Sequence, residues 1–136
     1  MDGFVYLLDT NIISDLIRNP AGRVAQQIAA KGESAVCTSI VVACELRFGA
    51  RKKGSAILTA RVEEILAVIE VLALDAGVDP HYAEIRAELE ARGTPIGPND
   101  LLIASHALSY GLTVVTANIA EFSRITNLPA ENWLKG

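Results

Sequence analysis

The chain has 136 residues, a length that suits one ordinary domain rather than two. With 51% hydrophobic and 21% charged residues it reads as a globular protein with apolar surface to spare, so an oligomer is expected. A net charge of −4 argues against a general nucleic-acid coat, because phosphate neutralisation drives non-specific binding, yet it leaves a nuclease open, since a metal cancels the charge of its own carboxylate ligands.

The run around Val68 to Leu74 is broken by Glu70 and Asp75, and no uninterrupted apolar stretch reaches the roughly 20 residues that cross a bilayer. Asp2 and the lack of a basic residue ahead of Phe4 to Leu8 do not suit a secretory signal, so no membrane association and a cytoplasmic location are expected. Cys37 and Cys44 sit in apolar segments without CxxC spacing, and reduced, buried thiols are expected for both.

Phe4 to Leu8 has the length and apolar character of a strand, and Asp9-Thr10-Asn11 then supplies helix-capping types for a helix over Asn11 to Arg18. A second helix is expected over Arg23 to Ala30, stopping at Gly32. Ala35 to Thr38 leans to strand, and Ser39 can cap a helix running to about Arg51 with Glu45 near its middle. After the turn at Gly54-Ser55, three-to-four spacing of Ile57, Leu58, Val62, Ile65, Leu66 and Ile69 predicts a helix over Ala56 to Ile69. Val71 to Leu74 is the third strand candidate, and Asp79-Pro80 looks like the cap and first turn of a helix through Arg92.

Thr94 to Pro98 reads as a rigid loop. Pro98 suits the first helical position and places Asp100 in the first turn of a helix through Tyr110, where exposed N–H groups favour its charge. Gly111-Leu112 looks like a left-handed helix stop with its apolar contact, followed by a strand over Leu112 to Thr116, a helical turn at Glu121-Phe122 and a last strand at Arg124 to Thr126. Strands alternating with helices imply an α/β fold with a mostly parallel sheet covered on both faces.

Four segments place acidic or amide side chains where such a sheet would gather them: LLDTN with Asp9, VACELRFG with Glu45, GPNDLLIASHA with Asp100, and VVTANIAEF with Asn118 and Glu121. Ligands of open parallel sheets bind at the carbonyl ends of the strands. Asp9 stands there as either a helix cap or a ligand, with Asn11 and Ser14 near enough to orient it or a bound water. Glu45 has almost entirely apolar neighbours, so it needs an Arg partner or a metal, and Gly49 one turn on leaves room beside it. Ala104 and Ala107 share a helix face with Asp100 and leave space there. Thr116, Asn118 and Glu121 each offer an oxygen, and spacing does not choose among them.

Mg²⁺ or Mn²⁺ prefers oxygen donors, and a metal held by two or three carboxylates can activate water for attack on a phosphodiester without a side-chain nucleophile. No Ser-His-Asp or Cys-His arrangement competes, and His81 and His106 are single histidines with structural or surface roles expected. Arg47, Arg51, Lys52, Lys53 and Arg61 form a local basic stretch, either a solvated helix face or an RNA-contacting patch.

Taken together, LLDTNIIS, TSIVVACELRFGA, IRAELEARGTPIGPNDLLIASHA and GLTVVTANIAEFSRITNL resemble the PIN-domain ribonucleases, and more narrowly the VapC toxins of bacterial toxin-antitoxin pairs, over nearly the whole chain. The resemblance implies a single PIN domain over residues 1–136, a Rossmann-like α/β/α sandwich, and a Mg²⁺- or Mn²⁺-dependent endoribonuclease with Asp9, Glu45 and Asp100 in the three main acidic positions. Asn118 stands where many members carry a fourth Asp, Glu121 can supply that charge, and Thr116 and Asn11 match polar supports of the site. The PIGPxDxxIAxHA stretch and the final EF resemble the branch that cuts initiator tRNA in its anticodon stem-loop. Homodimerisation and silencing by a VapB antitoxin covering the crevice are implied as well.

Two other classes fit the sequence less well. A haloacid-dehalogenase-type phosphatase or a receiver domain wants a strand-end lysine, and no Lys lies between Lys53 and Lys135. A PIN-like RNA- or protein-binding module with a weakened site is supported by Asn118 alone and opposed by the retained Glu45.

Overall fold

The computed structural model describes residues 3–135. Strand β1 (Tyr6–Leu8) runs straight into helix α1 (Thr10–Arg18), with Asp9 in extended backbone as the N-cap, its carboxylate accepting from the Thr10 amide. Helix α2 (Arg23–Lys31) ends at Gly32, whose φ of 97° suits glycine, and a 3-10 turn leads into β2 (Val36–Ser39). Helices α3 (Ile40–Lys53) and α4 (Ala56–Val68) follow, capped by the Ser39 and Ser55 hydroxyls and separated by the left-handed Gly54. The remaining elements are β3 (Glu70–Leu72), α5 (Val78–Ala91), α6 (Pro98–Ser109), β4 (Thr113–Val115), α7 (Ile119–Phe122) and β5 (Ala130–Glu131).

The described strands form a five-stranded parallel sheet in the order β3-β2-β1-β4-β5. Tyr6 of β1 pairs with Val36 on one side and Thr113 on the other, so the winding reverses between β1 and β4. Such a reversal opens a crevice beyond the carbonyl ends of the two strands. Leu7, Leu8, Ile12, Ile13, Val42, Ile103, Val114, Val115 and Phe122 are among the residues that fill the core around this sheet. All four residues of β2 are buried, as expected for an inner parallel strand.

The stop after α6 combines two bonds: the Leu112 amide donates to Ala107 and the Gly111 amide to Leu108, with Gly111 at φ 67°. Among the described residues no helix is long and apolar enough to cross a membrane.

Several sequence expectations are corrected. The last strand is Ala130–Glu131, not Arg124 to Thr126: after α7 the chain keeps turning, with Arg124 bonded to Glu121, Ile125 to Phe122 and Leu128 to Ile125, and Asn127 left-handed at φ 68°. Helix α5 begins at Val78 after a left-handed Gly77, and Asp79 is inside its first turn, its carboxylate accepting from the Gly77 amide. Cys37 is buried, but Cys44 is exposed, because it shares the outer face of α3 with Ile40 and Phe48 at one-turn intervals. That face also means the apolar neighbours of Glu45 do not bury it; its carboxylate is only partly covered.

Candidate active site

The crevice at the β1–β4 reversal is built from loops and first turns. Asp9, 2% exposed, leaves the end of β1 and is held at both carboxylate oxygens: the Thr10 amide donates to one at 2.8 Å, and the Thr116 hydroxyl donates to the other at 2.8 Å. The cap and the site roles coexist in one side chain. Asn11 adds a longer bond from its amide nitrogen at 3.4 Å, while its oxygen accepts from the Ala117 backbone at 3.0 Å. Thr116 in turn accepts from the Asn118 amide at 2.9 Å. Asn11 and Thr116 therefore tie the end of β1 to the end of β4. Burial pushes the Asp9 carboxyl above its ordinary value, opposed by the Thr116 and Thr10 bonds and reinforced by the charge of Glu45.

Asp100 stands in the first turn of α6, as expected from Pro98. Its carboxyl is pushed up to about 7, first by burial, then by the charges of Asp9, Glu121 and Glu45, with the Glu121 carboxyl in hydrogen-bonding reach. Glu121, on the single turn of α7, is thus the fourth acid of the group. Asn118 precedes that turn with an exposed side chain that makes no hydrogen bond among the described residues. The space around Asp100 does not come from Ala104 and Ala107, which are completely buried in the core. A Cβ added at Gly97 would stand 3.9 Å from the Asp100 carboxylate, within ordinary contact.

Glu45 is gripped by two residues whose role was not foreseen. The Thr10 hydroxyl donates to one of its oxygens, and the Asn99 side-chain amide donates to the other at 3.2 Å. The signal for Asn99 was its place between Pro98 and Asp100, an amide in the same first turn; nothing local connects it to Glu45, 54 residues away. Gly49 has open space where a Cβ would be, as its spacing from Glu45 implied. Ser14 does not bond Asp9; it lines a groove of about 260 Å³ with Thr10, Arg18, Glu45 and Lys53. A separate cavity of about 240 Å³, lined by His81, Glu88 and Arg92 among others, includes none of the four acids.

The basic stretch divides. Arg47 is committed to a two-bond ion pair with Glu63, at 2.9 and 2.8 Å, whereas Arg51, Lys52 and Lys53 are exposed in the last turn of α3. His106 is completely buried, and His81 is partly exposed.

All the charged donors in the crevice are carboxylates, and burial, together with their like charge, raises the Asp100 carboxyl. Such a set fits a hard divalent cation that favours oxygen and relieves like-charge crowding. Among the described residues, no three acidic, histidine or cysteine groups already stand in a coordinating arrangement. Asp100 lies near enough to feel the charges of Asp9, Glu121 and Glu45, and Glu45 is engaged by Thr10 and Asn99.

The PIN domain family model matches residues 6–128, which takes in β1 through α7 and all four acids. The chain is 40% identical to "Ribonuclease VapC2" of Rickettsia felis over 134 residues, covering 96% of this chain and 99% of the relative. It is 39% identical to "tRNA(fMet)-specific endonuclease VapC" of Shigella flexneri over 129 residues, covering 94% and 97%. Among solved structures, a chain of the Rickettsia felis VapBC2 complex bound to a DNA fragment from their promoter superposes with a TM-score of 0.89 at 36% identity, covering 96% of this chain and 99% of that one. The matched fold, the full-length coverage and the identities place the chain in the PIN-domain family, as a member of its VapC ribonucleases.

Proposed function

We propose that this chain is the toxin of a toxin-antitoxin pair and acts as a Mg²⁺- or Mn²⁺-dependent endoribonuclease on tRNA, with the anticodon stem-loop of initiator tRNA as the favoured target. One observation carries the reaction type: acids from four separate elements influence one another in a single crevice whose most buried member, Asp9, is held by hydrogen bonds at both oxygens. Asp9, Asp100, Glu121 and Glu45 would hold the cation. When bound, it supplies positive charge at the scissile phosphate and lowers the pKa of a water there.

The chain's own residues do the rest. Thr10, Thr116 and Asn11 orient Asp9, and Asn99 and Thr10 orient Glu45, so that little reorganisation is needed when charge builds at the phosphate. Asp100 holds or releases a proton near neutral pH according to the charge beside it. Exposed Arg51, Lys52 and Lys53 are the basic side chains available to RNA phosphates, Arg47 being taken by Glu63.

Support for the substrate comes from the Shigella flexneri relative named for tRNA(fMet). Support for a VapB-type antitoxin comes from the VapBC complexes that share the fold. Exposed Phe48, Ile57 and Val68, each more than 65% accessible, favour covered surface, and a cytoplasmic homodimer is the assembly we assign. The test incubates purified protein with total tRNA, with Mg²⁺ or with EDTA, beside Asp9→Asn and Glu45→Gln. Cleavage confined to wild type with metal is expected, and mapping the new ends identifies the RNA. Equal cleavage in every lane, or none with metal, overturns the reading.

A further inference from the structure

Among the described residues the core contains a completely buried histidine that the reaction does not use. His106 on α6 is completely buried, and its Nδ1 lies 2.8 Å from the hydroxyl of Ser39, also completely buried. Ser39 ends β2 and caps α3, its oxygen accepting from the Val41 amide at 3.1 Å. The Nε2 of His106 faces the Ala73 carbonyl beyond β3 without a fully formed bond. One protonation state suits all these neighbours: a neutral ring with its proton on Nε2 toward Ala73, and Nδ1 accepting from Ser39, which still accepts from Val41. Burial lowers the pKa of His106 and favours the same neutral ring.

The placement of this contact matters more than its existence. His106 lies seven residues, or two turns, after Asn99, so both occupy the same face of α6. Asn99 donates to Glu45 and His106 meets Ser39, six residues before Glu45. Two polar contacts about 10 Å apart along α6 therefore join the same two helices in antiparallel register. Asn99 sits at the mouth of the crevice and His106 at the start of α3. Glu45 is only partly buried, so packing alone does not set its position.

We infer that His106 is a positioning residue for RNA cleavage: acting through Ser39, it seats the start of α3 against α6 so that Glu45 meets Asn99 and Thr10. The inference rests on the ribonuclease reading above, and its test includes an arm that does not need cleavage. His106→Leu removes the acceptor, and His106→Asn keeps an oxygen near the place of Nδ1. Val24→Ala, in the core of α2 and outside the crevice, serves as a control for lost stability.

Rates are compared at a temperature where each variant is folded. His106→Leu is expected to lower kcat about ten-fold or more with KM nearly unchanged, His106→Asn to recover most of the loss, and Val24→Ala to leave kcat within about two-fold. In metal-free protein, amide exchange at Val41 and the NMR signals of the Asn99 side-chain amide should change in His106→Leu and return toward wild type in His106→Asn. A kcat loss shared equally with Val24→Ala, or no rescue by Asn, overturns the inference. If wild type cuts no RNA, the ribonuclease reading fails by itself, and unchanged Val41 exchange and Asn99 signals in His106→Leu then overturn the positioning role of His106 separately.

Discussion

Replacing Asp100 with Asn should stabilise the metal-free protein while abolishing cleavage. The carboxyl is raised from 3.8 to about 7 by burial and by Asp9, Glu121 and Glu45, about three pKa units against ionisation. At 1.36 kcal/mol per unit the nominal cost is about 4 kcal/mol, but the side chain is half open to water, and screening leaves about 1–2 kcal/mol. Because the folded pKa lies above the unfolded one, the fold binds this proton more tightly and loses stability as pH rises from about 4 to 7. The neutral Asn escapes that loss. With an unfolding entropy of about 2.1 cal/mol/K per residue, the expected gain in Tm is about 3–7 °C in EDTA at pH 8, shrinking to nothing near pH 4. Differential scanning calorimetry across that range measures it. Saturating Mn²⁺ should reverse the order, raising the wild-type Tm more than the variant's. An Asn variant that is less stable in EDTA at pH 8, or whose gain does not vary with pH, refutes the argument that burial and the neighbouring acids disfavour an ionised Asp100.

Further outcomes follow from the same geometry. Glu121→Gln should lower the initial cleavage rate at least ten-fold and Asn118→Ala about two-fold or less, with Asp100→Ala worse than Asn118→Ala; the opposite order in a steady-state assay would move the fourth donor to Asn118. Thr116→Val leaves the buried Asp9 oxygen short of its best donor, which should cost about 1–3 kcal/mol in denaturant unfolding and reduce cleavage as well. Lys52→Ala with Lys53→Ala should raise KM for tRNA and flatten its dependence on salt, while Arg47→Ala, already neutralised by Glu63, should do so less. Metal binding to wild type, followed by calorimetry in two buffers, should weaken as pH falls through about 7 and release protons, because Asp100 must give one up.

Much of the architecture was legible because it is written locally. Apolar runs and caps located the strands and helices to within a few residues, and Asp9, Ser39, Pro98 and Gly111 took the helix-end places their chemistry suits. The short β5 was missed because two residues carry almost no pattern, and the turns after α7 use residues that a strand also tolerates. Glu45 was expected to be buried by its neighbours in sequence, yet a helix presents those neighbours to different sides, and the outer side of α3 is exposed.

The sequence by itself determined which residues could do chemistry: four acidic segments in order, oxygen donors rather than thiols or imidazoles, at strand ends and first helical turns. Only the tertiary structure decided which of them meet. It brought Glu121 rather than Asn118 to Asp100, gave Glu45 the Thr10 and Asn99 partners, turned Cys44 and Phe48 outward, and set Arg47 against Glu63. Caps and helical periods act over three or four residues and can be read along the chain. Contacts between residues 16 to 107 positions apart depend on how whole helices settle on the sheet, and no local pattern records them.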